Sequence, residues 1–242
     1  MTNTNLIQLV KDDIHAFMKN NQELFFNERD FQMHLAMWLK DSANKYDDVD
    51  LEYYIPREIL NNTPNDYEWS SELRLDIVVK KGTEYVPVEL KYKTKIVNKK
   101  TLLRFDENIN ASAGDTFKII KSQGAQDLGM YDFWKDVRRL EHIRNRFKNV
   151  IGGLAVFLTN DTAYQHIPKE SSNNYHLSIS EGIHSCDKHW NDSESTCAKG
   201  HPKFKVEHAY TIEWHPTKAD GIDFNYCIVT IEGKKQNTIE TI

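Results

Sequence analysis

The sequence predicts a mixed α/β or α+β fold with a mixed central sheet and a β-rich C-terminal extension. Three observations carry that expectation. Apolar residues recur at helical spacing in two N-terminal stretches. A period-two hairpin occupies residues 73–92. A third amphipathic stretch, 131–147, leads into a continuous apolar run at 150–161. Helices and strands in this order pack as layers around one sheet with both parallel and antiparallel neighbours.

The elements follow in chain order. Leu6, Leu9, Val10, Ile14, Phe17 and Met18 form one helical stripe. A second helix fits 27–42, with Asn27 as N-cap and Phe31, Leu35, Trp38 and Leu39 as its stripe. Glu28 and Gln32 stand one turn apart beside that stripe. Residues 50–58 read as a short strand and 61–70 as loop, rich in Asn, Pro, Asp and Ser. In "LRLDIVVKKGTEYVPVELKYK" (73–93), Leu73, Leu75, Ile77 and Val79 alternate with Arg74, Asp76 and Val78. Val86, Val88, Leu90 and Tyr92 alternate with Pro87, Glu89 and Lys91. Alternation on both sides of a Gly turn predicts a β-hairpin with one uniformly apolar face. Residues 94–129 show no clean period. The helix at 131–147 buries Phe133, Trp134, Val137, Leu140, Ile143 and Phe147. The run 150–161 is a central strand, buried on both faces. Its Gly152-Gly153 lacks the Lys-Ser/Thr partner of a phosphate loop and suits close approach of another backbone. Three further strands are expected within 175–180, 203–215 and 224–233, around a polar loop at 182–202. The expected division is a core over 1–160 and an extension over 161–242, either part of the same domain or a small appendage.

Composition bounds the function. The chain has 242 residues, 39% hydrophobic and 11% aromatic, enough for a sizeable core. Its net charge of −5 is not that of a wholly basic nucleic-acid binder, so such binding needs a local basic face. Cys186, Cys197 and Cys227 are too few and too odd in number for a disulfide framework, which fits a reducing, cytoplasmic setting. No basic start followed by an apolar run marks a signal peptide, and the strongest apolar run, 152–158, is too short to span a bilayer.

The charges inside the hairpin demand a partner. Residues i and i+2 of a strand share a face, so Glu89 and Lys91 project together. With the turn at 81–83, Asp76 lies opposite them on the neighbouring strand. Two carboxylates on one face repel unless a cation lies between them. Lys91 supplies one positive charge. A hard divalent ion such as Mg²⁺ supplies more, and accepts one or two carboxylates beside waters and phosphate oxygens. Such a group has the parts needed to hydrolyse a phosphodiester.

Asp76 followed by Glu89-Leu90-Lys91 resembles the signature of the PD-(D/E)XK nuclease superfamily, the restriction-endonuclease-like fold. Leu75 stands where that motif usually has Pro. The superfamily's helix, three strands, helix, strand order also matches the elements expected over 25–160. The stretch "QGAQDLGMYDFWKDVRRLE" is similar to uncharacterised bacterial members. The resemblance implies a restriction-endonuclease-like αβββαβ core and a Mg²⁺-dependent hydrolase, with Mn²⁺ able to substitute. It implies metal ligands Asp76, Glu89 and the carbonyl of Leu90, and Lys91 activating or positioning the attacking water. Glu28 on the first core helix, and Gln123 or Gln126 before the next helix, match positions that join such sites. DNA is the expected substrate, with RNA the alternative. A homodimer pairing two sites is compatible with that role. A catalytically silent fold that binds nucleic acid or protein is the alternative function.

A local basic face is present. Residues 91–104 carry Lys91, Lys93, Lys95, Lys99, Lys100 and Arg104 without an acid. Such a run suits phosphate contacts, and Tyr92 and Phe105 could stack on bases. It equally suits a solvated loop. A rival cluster lies at 184–202, where Cys186-x-x-His189 and Cys197-x-x-x-His201, with His184 to spare, offer tetrahedral zinc ligands. The short gap between the pairs and the abundance of Ser and Asp favour an ordinary loop.

Overall fold

The computed structural model describes residues 5–42, 45–61, 71–101 and 111–233. Helix α1 (Leu6–Asn20) starts at Asn5, whose side chain accepts the Ile7 N–H. Helix α2 (Glu28–Asp41) starts at Asn27, which accepts the Asp30 N–H at 2.9 Å, so the expected N-cap is in place. Strand β1 (Asp48–Ile55) and a short helix α3 (Arg57–Asn61) follow. β2 (Leu73–Lys81) and β3 (Glu84–Lys93) form the hairpin. Gly82 turns it with φ +59°, a left-handed conformation that favours glycine.

A small pair, β4 (Val97–Lys99) and β5 (Phe117–Ile120), precedes α4 (Gln126–Arg146) and β6 (Gly153–Thr159). The C-terminal region holds β7 (Gly182–His184), β8 (Asp187–Lys188), α5 (Thr196–Gly200) and β9 (Phe204–Lys205). It ends with β10 (Tyr210–Ile212), β11 (His215–Ala219) and β12 (Ile222–Ile231).

The central sheet has the order β1-β2-β3-β6-β12-β11. β3 and β6 are parallel, and the other neighbours antiparallel. The sheet is therefore mixed. Parallel neighbours need a crossover, and α4 supplies it. β12 pairs with β6, so the C-terminal residues extend the same sheet. On one face α1 and α2 pack over Ile77, Val88, Leu90, Val156 and Phe224. On the other, α4 and the C-terminal segments pack over Ala155, Phe157, Cys227 and Val229. All seven residues of β6 are buried, as a strand covered on both faces requires. Among the described residues, no helix is long and apolar enough to cross a membrane.

Gly152 shows the close backbone approach expected of the Gly-Gly pair. A Cβ on Gly152 would lie 2.3 Å from Ile7 Cδ1 and 2.5 Å from the Ile231 carbonyl oxygen. Helix and neighbouring strand both approach too closely for a side chain.

Several expectations need correction. Residues 175–180 are not a strand; Tyr175–Leu177 forms a 3-10 turn. Residues 203–215 are not one strand but the short pieces β9 and β10 and the start of β11. α4 begins five residues earlier than the 131 read from its apolar stripe, because Gln126, Asp127 and Gly129 interrupt the stripe in its first turn. The hairpin's apolar face is not uniform. Leu73 and Leu75 belong to the α4-side core, whereas Ile77 and Val79 belong to the α1/α2 side. Alternation therefore breaks at Asp76. The pairing of β1 with β2 steps from Leu51–Ile77 to Tyr53–Leu75 over Glu52 and Asp76. Glu52 has φ +51°, rare for a residue with a side chain. The 61–70 loop reading lies outside the described residues beyond Asn61.

Candidate functional site

The pairing of β2 with β3 runs from Lys81–Glu84 to Ile77–Val88 and ends there. Beyond that point the backbone of β3 has lost its partner on the β2 side. Two carboxylates replace it. Asp76 Oδ2 accepts the Leu90 N–H at 2.7 Å, and Glu28 Oε2, from α2, accepts the Tyr92 N–H at 2.8 Å. The Leu90 carbonyl points to the same side of the strand as its N–H and meets Lys91 Nζ at 3.2 Å. Gln32 Nε2 donates to the Asp76 carbonyl at 2.7 Å and to Glu52 Oε1 at 3.0 Å. Asp76, Glu28, Glu52 and Gln123 thus line one open groove of about 420 Å³, with Arg29 and Lys93 on its walls.

Glu89 and Lys91 project from β3 towards α4, behind that groove. Glu89 is 3% exposed and hydrogen-bonds Asp76, while its Oε1 is buried without a hydrogen-bond partner among the described residues. Burial, then Asp136 and Asp76, push the Glu89 pKa well above the ordinary carboxyl value. Burial raises that of Asp76 to about 6, although the Leu90 N–H, Lys91 and Glu89 work the other way. Both carboxyls therefore resist ionisation side by side. For Lys91, burial opposes the charge, but Asp136, Glu28 and Glu89 outweigh it and drive its pKa upward. Lys91 Nζ lies 2.7 Å from Asp136 Oδ2, and Arg139 Nη1 lies 2.8 Å from Asp136 Oδ1. The result is a chain of alternating charge, from the partly exposed Arg139 through the buried Asp136 to Lys91, ending at two acids that cannot both ionise cheaply. Asp76, Glu89 and the Leu90 carbonyl are the oxygen donors that could hold a hard cation there.

The structure brings Asp76, Glu89, Lys91 and Glu28 to one place and sets Gln123 in the adjoining groove. Gln126, the other glutamine candidate, is engaged elsewhere: its amide donates to Asp161. Of the basic run, Lys95 pairs with Asp161 at 2.7 Å, and Lys99 Nζ donates to the Asp220 carbonyl at 2.7 Å. Lys93 lines the groove and Lys100 is exposed. Arg104 and Phe105 lie outside the described residues. Tyr92 is not available for base stacking; it is 1% exposed and its hydroxyl donates to the Phe25 carbonyl.

Three participants escaped the sequence reading. Asp136 and Arg139 had a signal. Asp136 stands three residues after Phe133 and four before Leu140, so a charge falls within the apolar stripe of α4. Glu52 had none, because its inward turn depends on the backbone irregularity.

The zinc ligand set does not assemble. Among the described residues, the one group able to share an ion is Glu141, Glu207 and His208. His189 stacks on His176 with ring centroids 3.9 Å apart, and His201 packs edge-on against Tyr131. Cys197 Sγ approaches Asp127 at 3.9 Å. The Glu141 group is itself occupied. Glu141 Oε1 accepts the Glu207 N–H at 2.8 Å and the Tyr210 hydroxyl at 2.7 Å, and Glu207 pairs with Arg144.

Comparison with known proteins supplies no relative: no family model, curated protein or solved structure matches the chain.

Proposed function

We propose that the chain is a metal-dependent nuclease of restriction-endonuclease-like fold, hydrolysing phosphodiester bonds, with DNA as substrate and RNA as the alternative. One observation carries the reading. Two carboxyls, the buried Glu89 and the half-buried Asp76, touch where β2 leaves β3, with a lysine ammonium beside them. The order α2, β1, β2, β3, α4, β6, with its parallel crossover, supports it. Mg²⁺ or Mn²⁺ fits the donor set: Glu89 Oε1 has no hydrogen-bond partner among the described residues, and the repulsion between the acids calls for a hard cation. When bound, such an ion supplies an activated water and neutralises charge developing on the phosphate.

The chain's own residues do the rest. Asp76 and Glu89, with the Leu90 carbonyl, hold the cation. Lys91, fixed by Asp136, keeps its positive charge and steadies the attacking water or the anionic transition state rather than accepting a proton. Glu28 orients the groove side of the site through Tyr92. Lys93 and Arg29 offer positive charge to a phosphate backbone lying in the groove. The test is cleavage of plasmid and oligonucleotide DNA and RNA with Mg²⁺ or Mn²⁺, comparing wild type with Asp76→Ala and Lys91→Ala. Loss of cleavage in both variants supports the reading; equal behaviour of all three proteins overturns it.

The tight Lys91–Asp136 pair also fits a second reading, a catalytically silent fold that binds nucleic acid or protein. That reading expects binding indifferent to Mg²⁺ and to Lys91→Ala.

A further inference from the structure

Lys188, in β8, is 1% exposed, and its Nζ lies 3.3 Å from the centre of the Trp134 ring. Among the described residues, no carboxylate pairs with it. The neighbouring Asp187 turns to Lys205 at 2.8 Å. Glu181 accepts the Trp214 N–H at 2.9 Å. The indole face offsets part of the cost of burying an ammonium, but it supplies no opposite charge. Burial accordingly brings the Lys188 pKa down to about 7.

This lysine is not sealed in. It lines an open cavity of about 260 Å³ with His176, Ser178, Ser180, Glu181 and His184. The Ser180 hydroxyl accepts from Ser178 at 3.0 Å and retains its own proton to donate. His184 Nε2 donates to the Ser180 carbonyl at 2.7 Å. Glu181 is the single acid of the lining. None of these residues lines the groove at Asp76. The volume lies just under the roughly 300 Å³ at which small-molecule pockets begin.

We infer that this cavity binds a small oxyanion of the phosphate class, either free phosphate or a phosphate monoester, with Lys188 as its counter-charge and Ser180 as a hydroxyl donor. The site is independent of the nuclease reading. It supplies what the buried lysine lacks, an anion within reach of its ammonium group.

The test uses the full chain near pH 7 with two readouts. One is the rate at which acetic anhydride labels Lys188, followed by mass spectrometry. The other is the melting midpoint. Inorganic phosphate and adenosine monophosphate are compared with sodium chloride at matched ionic strength. Phosphate should slow labelling of Lys188 severalfold and raise the midpoint. Lys188→Met should weaken phosphate binding roughly tenfold or more, and Lys188→Arg should retain most of it. Protection by both probes supports a site for the free ion, and protection by the monophosphate alone supports a monoester site. Labelling of wild-type Lys188 unaffected by either probe overturns the inference, as does phosphate binding by Lys188→Met equal to wild type. Should Lys188→Met fail to fold, labelling of the wild type decides.

Discussion

Lys91 keeps its charge at a position where its side chain is 16% exposed, because Asp136, itself 1% exposed, lies 2.7 Å away. Removing one partner of such a pair strands the other in a poor solvent. Asp136→Ala should therefore cost roughly 3–5 kcal/mol, measured as a shift in the urea midpoint, and Asp136→Asn distinctly less. An equal loss in both variants would mean that packing, and not charge, is what Asp136 provides. Glu141 tells a different story on the same helix. Burial raises its pKa from 4.5 to about 6, despite hydrogen bonds from the Glu207 N–H and Tyr210. A folded-state value above the unfolded one means that the protonated form favours folding. That contribution is present below about pH 4.5 and lost as pH rises through about 6. Relative to Glu141→Gln, which keeps an acceptor for both donors, wild type should lose on the order of 1–2 kcal/mol between pH 4 and 7. Denaturation of both proteins across that range measures the difference, and parallel curves would sink the assignment. Glu89 and Lys91 were legible because strand parity alone puts them on one face, while Asp76 meets them beyond the paired part of the hairpin, at the break in β2. Asp136 was legible in principle, as a charge in an apolar helical stripe. Glu52 was not, since its placement follows from a left-handed backbone that no pattern of residue types announces.

At the scale of elements, sequence signals worked wherever burial was one-sided or complete. The stripes of α1, α2 and α4, the hairpin and the unbroken apolar run of β6 all come from what each residue must avoid, namely water. They failed where length or packing decided instead. β7 to β10 have two or three residues each, too few for a period. In the first turn of α4, Leu128 stands among Gln126, Asp127 and Gly129, too little apolar signal to extend the stripe. Most telling is β2, whose apolar residues change sides at Asp76. The break ends its pairing with β3 and frees the Leu90 and Tyr92 amides for Asp76 and Glu28. The site depends on this irregularity, which regular alternation does not show, although alternation does gather Asp76, Glu89 and Lys91. Gly152 gives the matching test for packing between elements. Gly152→Ala would press a methyl group against the fixed Ile231 carbonyl at the entry to β6 and against Ile7 of α1. The expected cost is about 1–3 kcal/mol, read from the melting midpoint. Adding Ile7→Val, which shortens one clashing side chain, should recover only part of it, because the carbonyl oxygen cannot retreat without moving β12. Full recovery would show that α1 alone sets the constraint.

For the whole molecule, the paired acids lie at the junction of the sheet. Glu89 sits in β3, between β2 and the parallel neighbour β6, and faces the crossover helix α4. Repulsion there works against every element that carries the core, so a ligand that relieves it should stabilise the fold as one unit. A cation that binds the native state and not the unfolded chain stabilises by about 2.7 kcal/mol at a hundred times its dissociation constant. For a chain of this length that amounts to roughly 5–10 °C in melting midpoint. Mg²⁺ and Mn²⁺ should produce such a rise near pH 7.5, and Ca²⁺ should produce it without supporting cleavage. Glu89→Gln removes a buried acid whose ionisation is unfavourable, so its metal-free midpoint should equal or exceed that of wild type while the response to metal disappears. That combination separates loss of a ligand from loss of the fold, which a destabilised variant could not do. A wild-type midpoint indifferent to all three ions, or a Glu89→Gln protein that still responds, would show that the acids are joined by a shared proton alone. Lys91 and Asp136 would then be an internal ion pair that braces α4 against the sheet, and the groove beside them would have to act through binding alone.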